Sequence, residues 1–247
     1  MKLLFIILYF SILMPSISGY DIMKQINQKD KPKDLKSTLT MDSEKEDGKK
    51  RTSVFKSWVK NSGEKQLIWF IEPHEYKGIA FLKIEKDNDT DMRMWLPRYK
   101  KIRKISTANK NDSFMNSDLT FEDLYIRQID DYSYTIIKEE IYNDKLCYIV
   151  LSSIKNQQNS AYSKHETWIS KDELLPMKEI SYDRDGLKEK QKEFTYIKKD
   201  KKDIISSIKI KNLKKEHYTN LYINDIILDS GIDDNYFKEH RLKRIPN

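Results

Sequence analysis

The 247-residue sequence contains little cysteine, glycine, proline or histidine. Its single cysteine, Cys147, excludes an intramolecular disulfide framework and any zinc or iron–sulfur site built from several cysteines. Six glycines and six prolines exclude collagen-like and low-complexity chains. The four histidines lie in separate segments without metal-binding spacing, and they are His74, His165, His217 and His240. We therefore predict neither a metal site nor a cofactor.

The motifs of common enzyme chemistries are also missing. The sequence has no Gly-x-Ser-x-Gly elbow, no phosphate-binding loop and no dinucleotide fingerprint. Carboxylate pairs such as Glu139-Glu140 are expected in any chain with 34% charged residues, so they do not indicate glycosidase chemistry. The net charge of +7 combines 46 basic with 39 acidic residues, and 11% aromatic residues indicate a folded domain. We predict that the protein is not an enzyme.

The one long apolar run stands at the N-terminus. Lys2 precedes the run Leu3 to Met14, and a proline and small residues separate that run from Gly19. This order predicts a secretory signal peptide over residues 1–18 and a single domain over residues 19–247. An uncleaved N-terminal anchor is the alternative. No cysteine lies near the cleavage site and no second run reaches spanning length, so we expect an exported, soluble protein without a lipid anchor.

Short segments of alternating apolar and polar residues make up most of the remaining chain. From Leu35 onward they are separated by turn sequences such as Asp47-Gly48 and Asp185-Gly186. This spacing predicts a mainly β (α+β) fold in which roughly eleven strands form an antiparallel meander. Residues 20–28 predict a short amphipathic helix, and residues 107–124 a polar loop. A sheet of this length must curl, and we expect an open sheet with helices over its concave face.

Large apolar side chains recur along the predicted strands. A closed barrel leaves too little room for all of them, which favours the open form. We expect an apolar groove, and its candidate residues are Phe55, Trp58, Trp69, Phe70, Phe81, Trp95, Trp168, Phe194 and Tyr196. The strands are rich in Lys and Glu on one face, as expected of a solvated convex surface. A shift of one residue exchanges the two faces of a strand, so the sequence leaves open which residues line the groove.

The densest positive charge lies in residues 93–105, where six Lys and Arg residues alternate with aromatic and aliphatic residues. An acidic and aromatic segment, residues 113–124, follows. Basic and aromatic residues together are typical of single-stranded nucleic-acid binding, but an exported protein does not meet nucleic acid. Anionic lipid head groups or an acidic protein surface remain as partners. The structural alternative is that the basic segment neutralises the acidic one.

Residues 94–105, MWLPRYKKIRKI, and residues 111–124, NDSFMNSDLTFEDL, together resemble the LolA-like outer-membrane lipoprotein-sorting family. The similarity is to the branch found with transporters of the resistance–nodulation–division type. Asn116 stands where this family usually has Gly, and Leu119 where it usually has an aromatic residue. Asn tolerates positive φ better than other non-glycine residues, so we expect the loop conformation to be kept.

This resemblance implies an open antiparallel half-barrel that carries acyl chains of lipoproteins or lipids through the periplasm. It also implies an inner-membrane transporter and an outer-membrane acceptor as partners. The residues that carry the motif, and that we expect to dock partners, are Arg98, Lys101, Arg103, Ser113, Phe114, Met115, Ser117, Asp118, Glu122 and Asp123. An adaptor or envelope-stress sensor that docks on a membrane transporter is the alternative function. Residues 20–28 and 107–124 are predicted to form a movable cover over the groove.

Overall fold

A computed structural model describes residues 17–44, 47–86, 89–157, 160–215 and 217–245. The predicted signal peptide lies outside these ranges up to residue 16. Within them, no helix combines the length and the hydropathy that a transmembrane span requires. The helix and strands are α1 Gly19–Gln28, β1 Asp34–Glu44, β2 Lys50–Lys60, β3 Lys65–Glu72, β4 Ala80–Lys86, β5 Asp89–Leu96, β6 Lys101–Ile105, β7 Tyr132–Tyr142, β8 Lys145–Ile154, β9 Tyr162–Ser170, β10 Pro176–Asp183, β11 Lys188–Lys199, β12 Lys202–Asn212 and β13 His217–Leu228.

All thirteen strands belong to one antiparallel sheet with the order β6-β5-β4-β3-β2-β1-β13-β12-β11-β10-β9-β8-β7. β1 and β13 pair in the middle, and β6 and β7 form the two edges, so the sheet is open. This confirms the predicted mainly β, open antiparallel fold. The described residues contain thirteen strands rather than roughly eleven, and one of the additional strands arises because the extended stretch 92–106 is divided in two. Pro97–Tyr99 forms a 3-10 turn there, and Lys100 has a positive φ of 49°.

The sheet curls around residues 106–131, which connect β6 to β7 and which we call the covering loop. The backbone N–H of Ile126 donates to Glu85 of β4 at 3.1 Å, and the next residue, Arg127, donates to Glu179 of β10 at 2.6 Å. β4 and β10 are seven positions apart in the sheet, about 34 Å along a flat sheet at roughly 4.8 Å per strand. Two consecutive residues reach both strands because the sheet curls, so this face is the concave one.

The helix α1 covers the concave face over β7, β8 and β9. Ser18 and Asp21 form a capping box, in which the Ser18 hydroxyl accepts the Asp21 N–H at 3.1 Å and the Asp21 carboxylate accepts the Ser18 N–H. Such a box satisfies N–H groups that the first turn of a helix leaves without partners. Ile22 is fully buried against Val150 and Ile169. The predicted amphipathic helix is therefore present and lies with its apolar side on the sheet.

The segment after β13 packs on the convex face. The Asp34 carboxylate accepts the backbone N–H groups of residues 230–232 at 2.8 to 3.1 Å. Burial opposes ionisation of Asp34, but these hydrogen bonds outweigh it and lower its pKa. Phe237 and Leu242, which follow, are buried in one cluster with Trp58 of β2. The chain therefore covers both faces of its sheet, whereas the sequence patterns predict a solvated convex face.

Candidate functional site

The covering loop inserts three apolar side chains into the concave face. Phe114, Leu119 and Phe121 are only 2%, 8% and 6% exposed. The ring centroid of Phe114 lies 5.4 Å from that of Phe81 and 6.1 Å from that of Phe70. The Phe121 centroid lies 6.0 Å from that of Phe81. Aromatic pairs at these distances attract each other, so the loop itself occupies the aromatic part of the concave face.

A tight turn holds the first of these side chains in place. The Ser113 hydroxyl donates to the backbone carbonyl of Ser117 at 2.6 Å, and the Ser117 hydroxyl donates to that of Phe114 at 2.6 Å. Met115 and Asn116 between them have positive φ values of 53° and 59°. The Asn at position 116 thus adopts the left-handed conformation expected for a residue that replaces Gly. The hydroxyl groups of Ser113 and Ser117 therefore stabilise the turn, and the turn directs the Phe114 side chain into the concave face.

Two carboxylates of the loop bind to the surrounding strands. Asp118 accepts the Thr219 hydroxyl of β13 at 2.7 Å and donates its own N–H to the same oxygen at 3.0 Å. Glu122 accepts the backbone N–H of Ala161 at 2.8 Å and also the hydroxyl of Ser160, just before β9. These contacts hold the loop to strands on both sides of the concave face.

Asp123 is the most deeply buried carboxylate of the loop. Lys190 Nζ donates to one of its oxygens at 2.5 Å, and Lys192 Nζ donates to the other at 2.6 Å. The side chains of Asp123 and Lys190 are 1% and 2% exposed. Burial raises the pKa of Asp123, but the two ammonium groups outweigh this and hold the pKa well below its usual range. Asp123 is therefore ionised throughout the physiological range of pH.

Further charged groups extend this network along β9 and β10. Arg127 of the loop donates to both oxygens of Glu179 at 2.6 and 2.9 Å, and Lys192 donates to Glu179 at 3.4 Å. His165 Nδ1 lies 2.9 Å from the Ser181 hydroxyl. Burial above all, together with the Arg127 charge, lowers the pKa of His165 to about 3, so its ring is neutral near pH 7.

The burial of Lys190 and Lys192 on β11 is an exception to the expectation that the Lys and Glu residues of the strands lie on a solvated convex surface. Lys190, Lys192 and Phe194 share one face of β11, and this face is the concave one. The run of charged residues conceals the burial of these two lysines, because a hydropathy scale assigns every lysine to the solvent-exposed surface. The period of two that ends at Phe194 is the signal that places both lysines inward.

The nine groove candidates divide between the two faces. Phe55, Phe70 and Phe81 lie in the concave cluster with Phe114. Phe194 and Tyr196 are partly buried on β11, and the Tyr196 hydroxyl donates to the backbone carbonyl of Pro176 at 2.8 Å. The four tryptophans do not join the concave cluster, because side chains alternate along a strand. Of these, Trp58, Trp69 and Trp95 pack with the C-terminal segment, and Trp168 packs in a separate cluster with Cys147.

The three docking candidates of the basic segment are exposed. Arg98 lies in the turn before β6, and Lys101 and Arg103 lie on the edge strand β6. Among the described residues they form no ion pair, and the carboxylates of the loop bind elsewhere. In the described part of the chain, no ion pair joins residues 93–105 to residues 113–124, so the charges of these two segments are not paired directly with each other.

Two cavities flank the covering loop. The first, of about 620 Å³, is lined by residues that include Glu85, Lys110 and Arg127. The second, of about 860 Å³, is lined by residues that include Asp118 and His217. Both linings are rich in polar groups, so neither cavity is the predicted apolar groove, which the loop fills. In the described ranges, no group of three or more His, Cys, Asp or Glu residues is placed to hold a metal ion.

The same open, curled antiparallel sheet occurs in solved structures of other proteins. A DUF1329 family protein from Desulfovibrio piger is 29% identical with a TM-score of 0.86, over 91% of this chain and 97% of that one. A putative outer membrane lipoprotein-sorting protein domain from Vibrio parahaemolyticus is 26% identical with a TM-score of 0.86, over 92% and 98%. A LolA superfamily protein from Nitrosomonas europaea shares the fold at 15% identity, with a TM-score of 0.74, over 92% and 100%.

A protein-family model described as "Uncharacterized protein" matches residues 62–244. A search of curated proteins finds no match. Together with the solved structures, the match over most of the sheet shows that the chain belongs to the LolA-like family.

Proposed function

We propose that this protein is a periplasmic carrier, which binds acyl chains of lipoproteins or lipids on its concave face and transfers them between the inner and outer membranes. The observation that carries the proposal is that side chains of a loop, not strands of the sheet, cover the aromatic part of this face. An acyl chain needs such a surface, because each methylene exposed to water costs about 0.8 kcal/mol. The similarity to the putative lipoprotein-sorting domain and the predicted signal peptide support the same function.

The length of the acyl chain that binds depends on the loop that it displaces. Phe114, Leu119 and Phe121 together contribute about 7 kcal/mol of apolar burial, at roughly 2.3 kcal/mol for each side chain. About nine buried methylenes offset this loss, at about 0.8 kcal/mol each. Longer chains therefore displace the loop, and shorter chains leave it in place. The returning loop releases the cargo, because it supplies the same surface from within the protein.

The exposed basic segment provides a docking surface in this proposal. Arg98, Lys101 and Arg103 are exposed and form no ion pair with the described residues of the covering loop. The neighbouring Tyr99 is 64% exposed. Exposed cations beside an exposed aromatic ring suit an acidic surface on an inner-membrane transporter or on an outer-membrane acceptor. The same observation favours the second candidate function, an adaptor or envelope-stress sensor that docks on a transporter without carrying lipid.

Lipid extraction and mass spectrometry of the purified chain distinguish the two functions. A carrier retains acyl lipids, or takes up a fluorescent acyl probe after delipidation. An adaptor contains no lipid, takes up no probe and co-purifies with a membrane protein. Phe121→Ala weakens the hold of the loop and is expected to increase probe uptake, whereas Leu187→Ala, at an exposed residue between β10 and β11, leaves uptake unchanged. A lipid-free chain in which both variants take up no probe would overturn the carrier proposal.

A further inference from the structure

The Asp123 carboxylate occupies an anion site that the strands provide. Lys190 and Lys192 each donate to one of its oxygens at 2.5 and 2.6 Å, and the Tyr162 hydroxyl lies 3.3 Å away. Lys190 also donates to the Tyr162 hydroxyl at 2.8 Å. The lysines belong to β11 and the tyrosine to β9, whereas Asp123 belongs to the covering loop. When the loop moves, its carboxylate leaves and the two ammonium groups stay on the sheet.

The strands alone carry an excess of positive charge at this place. Lys190 and Lys192 are 2% and 6% exposed, and the carboxylate that β10 adds is Glu179, 3.4 Å from Lys192. His165, beside Glu179, is neutral, because burial lowers its pKa to about 3. Two ammonium groups therefore face one carboxylate, and a buried ammonium without a counter-charge is strongly unfavourable. While the loop is in place, its Arg127 pairs with Glu179 and its Asp123 is the carboxylate that both lysines share. When the loop leaves, Glu179 is the single carboxylate near the two ammonium groups, so one further negative charge is needed.

The anion site borders the aromatic part of the concave face. Lys192 lies directly opposite Ile210 of β12, which is fully buried in the same cluster as Phe81. In the loop, Phe121 precedes Asp123 by two residues and contacts Phe81. The loop thus presents an apolar group next to a carboxylate. The strands present the complement, an apolar surface next to two ammonium groups.

We propose that the cargo is an anionic amphiphile, whose acyl chain replaces the apolar side chains of the loop. Its head group, with a single negative charge on a carboxylate or a phosphodiester, replaces the Asp123 carboxylate between Lys190 and Lys192. This inference rests on the proposed carrier function and adds the chemical class of the cargo. In the structure, Phe121 of the covering loop occupies the position proposed for the acyl chain, and Asp123 occupies the position proposed for the head group.

Tetradecanoate and tetradecanol form a matched pair of probes, because they share one chain and differ in the head group. Their dissociation constants are measured by calorimetry on the delipidated chain near neutral pH. The ratio of the two constants is independent of how easily the loop opens, since opening precedes the binding of either probe. We expect tetradecanoate to bind about tenfold more tightly or better, as a charge-assisted hydrogen bond provides.

Variants assign this preference to the lysines. Lys190→Met and Lys192→Met keep the length of each side chain and remove its charge, so the ratio is expected to fall towards one. Asp123→Asn weakens the hold of the loop and leaves the lysines intact, so both probes bind more tightly and the ratio stays at the wild-type value. Lys188→Met, at an exposed lysine of the same strand, is the control and changes neither constant. Circular dichroism establishes that each variant is folded.

Each outcome has a distinct meaning. Equal affinity of the wild type for both probes would overturn the anionic head group and leave the carrier proposal standing. Binding of neither probe, by the wild type or by Asp123→Asn, overturns the carrier proposal itself. Acetate that binds as tightly as tetradecanoate contradicts an amphiphile and shows a site for small anions only. An unchanged ratio in both lysine variants contradicts the assignment of the head group to Lys190 and Lys192.

Discussion

Replacing His165 by Gln is expected to make the folded protein less sensitive to acid. His165 is 1% exposed, and burial above all, together with the Arg127 charge, lowers its pKa to about 3. In the unfolded chain the imidazole takes up its proton near pH 6.5. Between these two values the unfolded state binds more protons than the folded state, so stability falls as the pH falls. Above pH 6.5 the ring is neutral in both states, and this effect vanishes.

The magnitude follows from the distance between the two pKa values. At about pH 4.5 the unfolded imidazole is about two units below its pKa, which corresponds to about 2.7 kcal/mol of lost stability. The charged groups around the ring are Arg127 and Lys192, which oppose its protonation, and Glu179 and Asp123, which favour it. The carboxylates also titrate in acid, but they are present in the wild type and in the variant. Their contribution therefore cancels in the difference between the two proteins.

Urea unfolding followed by tryptophan fluorescence measures this difference. The free energy of unfolding is determined at about pH 7.5 and about pH 4.5 for the wild type and for His165→Gln. The change between the two pH values is expected to be about 2.7 kcal/mol smaller in the variant. His74→Gln, at an exposed histidine, is the control and follows the wild type. Parallel pH profiles for the wild type and His165→Gln would refute the neutral, buried state of this ring.

Three further substitutions test other parts of the structure. Phe114→Ala removes a ring that is 2% exposed and should cost about 3 to 5 kcal/mol in urea unfolding; a cost below about 1 kcal/mol would contradict its tight packing. Gly19→Ala places a Cβ 3.0 Å from the backbone of β7 and should cost about 1 to 3 kcal/mol by displacing α1, with unchanged stability as the contrary result. The triple variant Arg98→Glu, Lys101→Glu, Arg103→Glu should change the free energy of unfolding by less than about 0.5 kcal/mol. It should abolish binding to an acidic partner, as measured by pull-down from envelope membranes. Undiminished capture would show that these residues do not dock.

The alternation of residues predicts the strands well and their faces poorly. Leu39 and Met41 alternate with polar residues, and the strand that they predict is present. Phe55 and Trp58 look equivalent as large apolar residues, yet their odd separation puts them on opposite faces, and both faces are covered. The sequence alone does not reveal the convex cover, because residues 232–242 have no regular period. The two-residue alternation therefore predicts which residues form a strand, whereas assigning its side chains to the two faces of the sheet requires knowledge of what packs on each face.

The hidden charges of β11 have a similar explanation. Lys190 and Lys192 are buried because Asp123, almost seventy residues earlier in the chain, supplies their counter-charge. No local pattern encodes a partner at this separation. The motif that contains Asp123 is recognisable in the sequence, but its partners lie in a run that composition describes as ordinary surface. Asn116 is the opposite case, because its conformational preference is a property of the residue itself and is met in the structure.

The pairing of the first strand with the last has a consequence for the order of folding. Leu35 lies opposite Leu228 and Met41 opposite Leu221, so the centre of the sheet joins residues about as far apart as the domain allows. Closing a loop of this size costs entropy before any contact compensates for it, and folding dominated by such contacts is slow. Until β13 arrives, β1 is an exposed edge that can pair with another chain. The newly synthesised protein is therefore most prone to aggregation at β1, in the centre of the future sheet, and the pairing of β13 with β1 removes this exposed edge.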